Sequence, residues 1–112
     1  MDVNRAEIEK VIYHHLGAFS NGIDDVMADY NEESILVTQD KTYIGLNEIR
    51  TFFNDFIENS TSEFWEAFEV EHLSTEYNAT LLVWSAVPFV EKAVDTIVVV
   101  DGKIKYQNFT VL

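Results

Sequence analysis

Two titratable side chains stand in stretches that are otherwise apolar, and both are types that move protons. In residues 4–19 (NRAEIEKVIYHHLGAF), Ile8, Val11, Ile12, His15 and Phe19 recur at helical spacing. They fall in a stripe about 100° wide with His15 near its middle. Asp95 interrupts AVDTIVVV, which is otherwise a core strand. An imidazole titrates near neutrality, so His15 suits a general acid, a general base or a donor orienting a ligand carbonyl. Its bland reading is a core histidine hydrogen-bonded to a neighbour such as a Tyr hydroxyl. A carboxyl among apolar residues either faces a polar cavity with a raised pKa or points to solvent. Period two groups Asp95 with Ile97 and Val99, and Val94, Thr96, Val98 and Val100 on the other face, without saying which face is inside. Facing inward, Asp95 is the best carboxylate partner for His15; Asp40, in the turn Gln39-Asp40-Lys41, is the substitute.

Further candidates are placed by the elements that carry them. Read as one long strand, residues 63–74 put Glu66 and His72 on a face with Phe64, Phe68 and Val70, and Trp65, Glu69 and Glu71 on the other. If the Phe-rich face is internal, Glu66 and His72 are pocket groups; otherwise they are wet strand ends. Ile12, Phe19, Tyr43, Phe53, Trp84 and Tyr106 are the expected pocket wall, with simple core packing as the alternative for the aromatic ones. His14 lies on the opposite side of its helix from His15 and reads as surface. Adjacent His residues point apart, and no His-x-x-x-His or Cys motif is present, so neither a metal nor another cofactor is expected. No nucleophile elbow, phosphate loop or dinucleotide fingerprint occurs.

The elements follow in order. Asn4 and Glu7 form a capping-box pattern at the start of the first helix, and Ser20-Asn21-Gly22 stops it. Residues 23–30 read as a short second helix, residues 33–38 and 42–44 as a hairpin. Gly45-Leu46-Asn47 opens a third helix with Asn47 as its cap, and Ile49, Phe52, Phe53, Phe56 and Ile57 make its core stripe. Strands are expected at 63–74, 79–89, 91–100 and 103–112, the last two joined at Asp101-Gly102, a strong hairpin signal. Helix, helix, hairpin, helix and a four-strand meander make an α+β domain of three helices on a mostly antiparallel sheet of about six strands. Wrapping the first helix requires that sheet to be strongly curved, giving a cone.

Composition bounds the function. With 112 residues the chain has the size of one domain, spanning 1–112. Its net charge of −13 disfavours nucleic acid and anionic membrane surfaces as partners. The absence of Cys, of a long apolar run and of a leader-like start makes the cytoplasm the expected compartment.

Three segments, residues 17–30 (GAFSNGIDDVMADY), 43–53 (YIGLNEIRTFF) and 101–104 (DGKI), have an order and spacing that resemble the nuclear transport factor 2-like superfamily, in particular its SnoaL-like and ketosteroid isomerase-like members. The resemblance spans nearly the whole chain. It implies a cone-shaped α+β barrel whose open end holds an apolar pocket with a few polar groups, and whose sheet often forms a homodimer. The isomerase pattern itself is mostly missing. The position of its carboxylate base falls on Thr38, that of its Tyr donor on His15, and that of its Asp donor on Thr96, one residue from Asp95. SnoaL-like cyclases, which use a His and an Asp in the cavity, resemble this chain better.

Two functions are compatible with this reading. One is a pocket protein for a small apolar ligand, extending to a cofactor-independent isomerase, cyclase or dehydratase in which His15 and Asp95 (or Asp40) act. The other is a non-catalytic homodimeric module with a filled cavity. A cavity of about 300 Å³ or more reaching His15 is expected of the first. An apolar outer sheet face, with Trp65, Ala67 and Leu73 on its first long strand and alternating apolar residues on the three strands that follow, is expected to pair two copies.

Overall fold

The computed structural model describes residues 4–112. Helix α1 (Arg5–Ala18) begins where the Asn4 side chain accepts from the backbone N–H of Ala6 at 2.9 Å. It buries Ile8, Ile12, His15 and Ala18, so the apolar stripe with its single imidazole faces the core. Helix α2 (Ile23–Met27) is shorter than its sequence pattern and buries Val26 and Met27. A small hairpin of β1 (Ile35–Thr38) and β2 (Thr42–Ile44) leads into α3 (Gly45–Asn59).

Helix α3 starts two residues before the expected cap. Gly45 supplies a φ of +82° that an L side chain rarely adopts, and Glu48 Oε1 accepts from the Ile44 N–H at 3.0 Å, so Asn47 lies inside the helix. The helix buries Ile49 and Phe53, with Phe52, Phe56 and Ile57 partly buried beside them.

The expected strand at 63–74 is half wrong. Residues 62–67 form a fourth helix, α4 (Ser62–Ala67), and only then does β3 (Phe68–Glu76) begin. Thr61 caps α4 by accepting from the Phe64 N–H at 3.1 Å, and Phe64 and Phe68, four apart, take the place of alternation. Strands β4 (Ala79–Ala86), β5 (Val90–Val100) and β6 (Lys103–Val111) complete the sheet. Asp101 and Gly102 both have positive φ, as a two-residue hairpin between β5 and β6 requires.

The strand order is β2-β1-β6-β5-β4-β3, antiparallel except where β1 lies parallel to β6. The α+β architecture and the six-stranded sheet are as expected; the strong curvature is not, because the sheet neither closes nor curls strongly, and β2 and β3 remain its edges. On β5 the inward face is Ala93, Asp95, Ile97 and Val99, which decides the orientation that period two alone left open. Two bulges reset the alternation elsewhere. Between Val70 and His72 the extra residue on β3 turns His72 outward and Leu73 inward. On β6, Val99 pairs with Ile104 but Val98 with Tyr106, so Lys105 is inserted and Gln107, not Tyr106, faces in.

The interior consists of two apolar clusters. One joins α1, α2 and α3 to β1, β5 and β6; the other gathers Phe64, Leu82, Trp84, Ala86 and Ala93. Leu16, Phe56 and Phe109 pack against both. No helix among the described residues is long and apolar enough to cross a membrane.

Candidate functional site

Between the two clusters lies a cavity of about 50 Å³, and both titratable candidates, His15 and Asp95, line it. His15 arrives from the core stripe of α1. Its ring packs edge-on to Phe19, Tyr30 and Phe53 at centroid distances of 5.3, 6.0 and 5.9 Å. Nδ1 is buried with no hydrogen-bond partner among the described residues. The hydroxyl of Tyr30, the neighbour most able to bond it, goes instead to Gln107 Oε1. Burial, with a smaller push from His14, lowers the His15 pKa to about 4, so the imidazole is neutral at physiological pH.

Asp95 arrives from β5 and is only 5% exposed. Trp84 on β4 donates its indole N–H to Oδ1 at 3.0 Å, and the Gln107 amide on β6 donates to Oδ2 at 2.8 Å. Burial raises the Asp95 pKa to about 6 against the pull of these two bonds. Tyr30, Gln107, Asp95 and Trp84 thus form one buried relay in which every hydrogen bond has a defined donor. Burial, reinforced by the charges of Asp95 and Asp29, pushes the Tyr30 hydroxyl well above its usual value and keeps it a donor. His15 and Asp95 share the cavity, but no hydrogen bond or ion pair joins them among the described residues. Neither group is a cause of the other's pKa shift.

The walls are aromatic. Trp84 and Phe109 stack with planes 7° apart, and Phe52 and Phe56 from α3 close over them. Trp65 on α4, Phe19 and Leu16 form the side that separates this cavity from an outer groove of about 520 Å³. The groove is also lined by Gly17, Ser20, Ser62 and Glu66. Phe19 and Trp65 meet there at a centroid distance of 5.4 Å.

Of the expected residues, His15, Asp95, Phe19, Phe53 and Trp84 line the cavity. Others do not. Asp40 is exposed in the β1–β2 turn, whose geometry is held by Thr38 Oγ1. Ile12 is solid core, 1% exposed. Tyr43 packs on Phe52, with the Lys41 ammonium 5.1 Å from its ring. Tyr106 is turned to the outer sheet face by the Lys105 bulge. Glu66 is exposed on α4 and reaches the outer groove only, because its segment is helical. Among the lining residues that sequence reasoning missed are Gln107, Trp65 and Phe109, together with Phe52 and Phe56, which it assigned to the core stripe of α3. A Thr-Ser-Glu cap before Phe64 could have exposed α4 and hence Trp65; nothing short of the bulge reveals Gln107.

No group of three or more His, Cys, Asp or Glu side chains among the described residues could hold a metal ion. Outside the cavity, His14 is not a bare surface residue. Its Nδ1 lies 2.7 Å from Asp29 Oδ2 and its Nε2 3.0 Å from Asp25 Oδ1.

No protein-family model and no curated protein sequence matches the chain. Solved structures do. A SnoaL-like protein of unknown function from Burkholderia thailandensis aligns with a TM-score of 0.78 at 7% identity, covering 100% of this chain and 99% of its own. An NTF-2 like protein of unknown function from Burkholderia xenovorans aligns at 0.74 and 16%, covering 96% and 85%. The fold is NTF2-like. A steroid delta-isomerase from Pseudomonas aeruginosa has the same architecture, with a TM-score of 0.75 at 16% identity, covering 96% of this chain and 81% of its own. Identities this low establish the NTF2-like architecture, and chemistry has to be argued from the cavity itself.

Proposed function

We propose that the chain is a small-molecule pocket protein whose site is the aromatic cavity between α1, α3 and the sheet, held closed in the form described above. The observation that carries this reading is the pair of polar groups on an otherwise apolar cavity: a neutral imidazole with an unpartnered nitrogen, and a carboxyl whose pKa is raised to about 6. Buried polar groups are ordinarily satisfied by the protein itself. A nitrogen left without a partner beside a cavity is a place for a ligand atom. Burial has brought the Asp95 carboxyl toward neutrality, the range in which a general base works best. Neutral His15 then hydrogen-bonds the ligand while Asp95 takes or returns a proton. This is the acid–base chemistry of a cofactor-independent isomerase, cyclase or dehydratase, and a steroid isomerase is among the proteins of similar structure.

Titration of the purified chain with 1-naphthol, followed through the His15 ring resonances, tests the reading. Saturable shifts, accompanied by a saturable change at the Trp84 indole N–H that disappears in His15→Ala, support it. Binding unchanged in that variant makes the imidazole structural.

The size of the cavity favours a second reading. A cavity of about 50 Å³ is well below the roughly 300 Å³ of an ordinary ligand pocket. In that reading the aromatic side chains simply fill the interior, and the chain acts as an association module through its outer sheet face. The first long strand does not contribute to that face as expected, since Trp65 lies on α4 and Leu73 packs inward. Its apolar residues are Leu81, Val83, Val94, Val98 and Tyr106 on the three strands that follow.

A further inference from the structure

Asp95 has no cationic partner among the described residues. Its two hydrogen bonds come from a neutral indole and a neutral amide, and among the described residues no Lys or Arg comes within 4.0 Å of it in an ion pair. No Lys or Arg lines the cavity or the outer groove either. The titratable groups nearest in the network, Tyr30 through Gln107 and His15 on the cavity wall, are both uncharged at neutral pH. A carboxylate taken out of water without a counter-ion is among the costliest arrangements a core can hold. The two accepted bonds leave further lone pairs on both oxygens.

The surroundings select a sign of charge. The rings of Phe52, Phe56, Trp84 and Phe109 enclose the same space, and an aromatic face attracts a cation within about 6 Å of its centroid. Glu66 adds a carboxylate at the groove, and the chain as a whole carries −13. Such a field concentrates cations and repels anions.

Resting on the pocket reading above, we propose that the ligand is an organic ammonium ion. Its charged head sits against Asp95 within the aromatic cavity, and its apolar body lies in the outer groove, reached by parting the Phe19–Trp65 contact. The sizes agree with this division. The inner cavity of about 50 Å³ takes a head group, the groove of about 520 Å³ takes a body, and Leu16, Phe19 and Trp65 are common to both. Ligand binding supplies the counter-ion that the protein lacks. Carboxylates and phosphate esters are excluded by the same electrostatics.

Calorimetric titration with benzylammonium, benzyl alcohol and benzoate separates charge from shape. Benzylammonium is expected to bind about ten-fold or more tighter than the isosteric alcohol, with no detectable binding of benzoate. Asp95→Asn, which keeps the shape and one acceptor, should remove that preference, so that benzylammonium and benzyl alcohol bind the variant with equal affinity. Should that variant not fold, the native chain gives the same answer. Ammonium affinity should fall as pH is lowered from about 7.5 to about 5, and alcohol affinity should not. Equal binding of alcohol and ammonium, or a preference for benzoate, overturns the ammonium proposal and leaves the pocket reading standing. Failure of all three to bind either the native chain or Trp65→Ala, in which the partition is opened, overturns both.

Discussion

The amide N–H of Gln107 reaches Asp95 Oδ2 at 2.8 Å, and the oxygen of the same amide receives the Tyr30 hydroxyl. One side chain therefore satisfies a carboxylate on β5 and a phenol just beyond α2, both buried. Gln107→Leu should leave both without that partner, at a cost of about 2–4 kcal/mol. Denaturant unfolding measures the loss. The same variant should raise the Asp95 pKa above about 6, because a bond that lowers it is gone; a carboxyl carbon titration that does not move would refute the relay.

His15 and Asp95 should impose opposite pH slopes on stability. Asp95 titrates near 6 in the folded chain against an ordinary 3.8, so its contribution is fully present below about 4 and is lost as pH rises through 6. His15 titrates near 4 against an ordinary 6.5, so its contribution is present above 6.5 and is lost as pH falls through 4. Each shift corresponds to something on the order of 3 kcal/mol, and the two largely cancel. Relative to wild type, Asp95→Asn should therefore gain stability as pH rises from about 4 to 6.5, and His15→Leu should lose it. Unfolding curves at stepped pH that stay parallel for all three chains would show that neither group is perturbed.

His14 should matter most in acid. The hydrogen bond to Asp29, opposed by burial and reinforced by Asp25, raises its pKa above 6.5. Its contribution is thus complete below 6.5 and fades as pH passes the raised value. His14→Ala should be more destabilising at about pH 5.5 than at about pH 9, whereas a residue held by packing alone would cost the same at both. Thermal melts at the two pH values decide it.

The outer sheet face predicts an assembly. Leu81 and Tyr106 are 40% and 37% exposed, and Val83, Val94 and Val98 lie between them without a covering helix. Sedimentation should give a dimer at micromolar concentration, and Val94→Glu should shift it toward monomer. A native chain that sediments as a monomer throughout that range removes the proposal.

Legibility in the sequence followed periodicity. The α1 stripe, the β1–β2 hairpin, the α3 stripe and the Asp101-Gly102 turn were readable because each is specified by local chemistry. His15 and Asp95 were readable as polar interruptions of apolar runs. The misplaced strand residues share one cause: alternation was carried across a break that it does not signal. Glu66 was given a strand's orientation although α4 had not yet ended, and Tyr106 was given an inward face although Lys105 shifts the count by one. A bulge is set by cross-strand pairing, which no window of a single strand contains. The aromatic partition was invisible for a different reason. Core and cavity wall use the same residues, and only packing tells them apart.

The parallel pairing of β1 with β6 joins Ile35 to Tyr106 and Thr38 to Phe109, so the first strand finds its long neighbour only in the last. During synthesis the β1–β2 hairpin must wait for roughly sixty further residues before that edge of the sheet can form, and Gln107, which completes the buried relay, arrives with them. Until then the nascent chain holds an imidazole and a carboxyl in an unfinished interior, which makes residues 103–111 the segment whose arrival commits the domain to its final state.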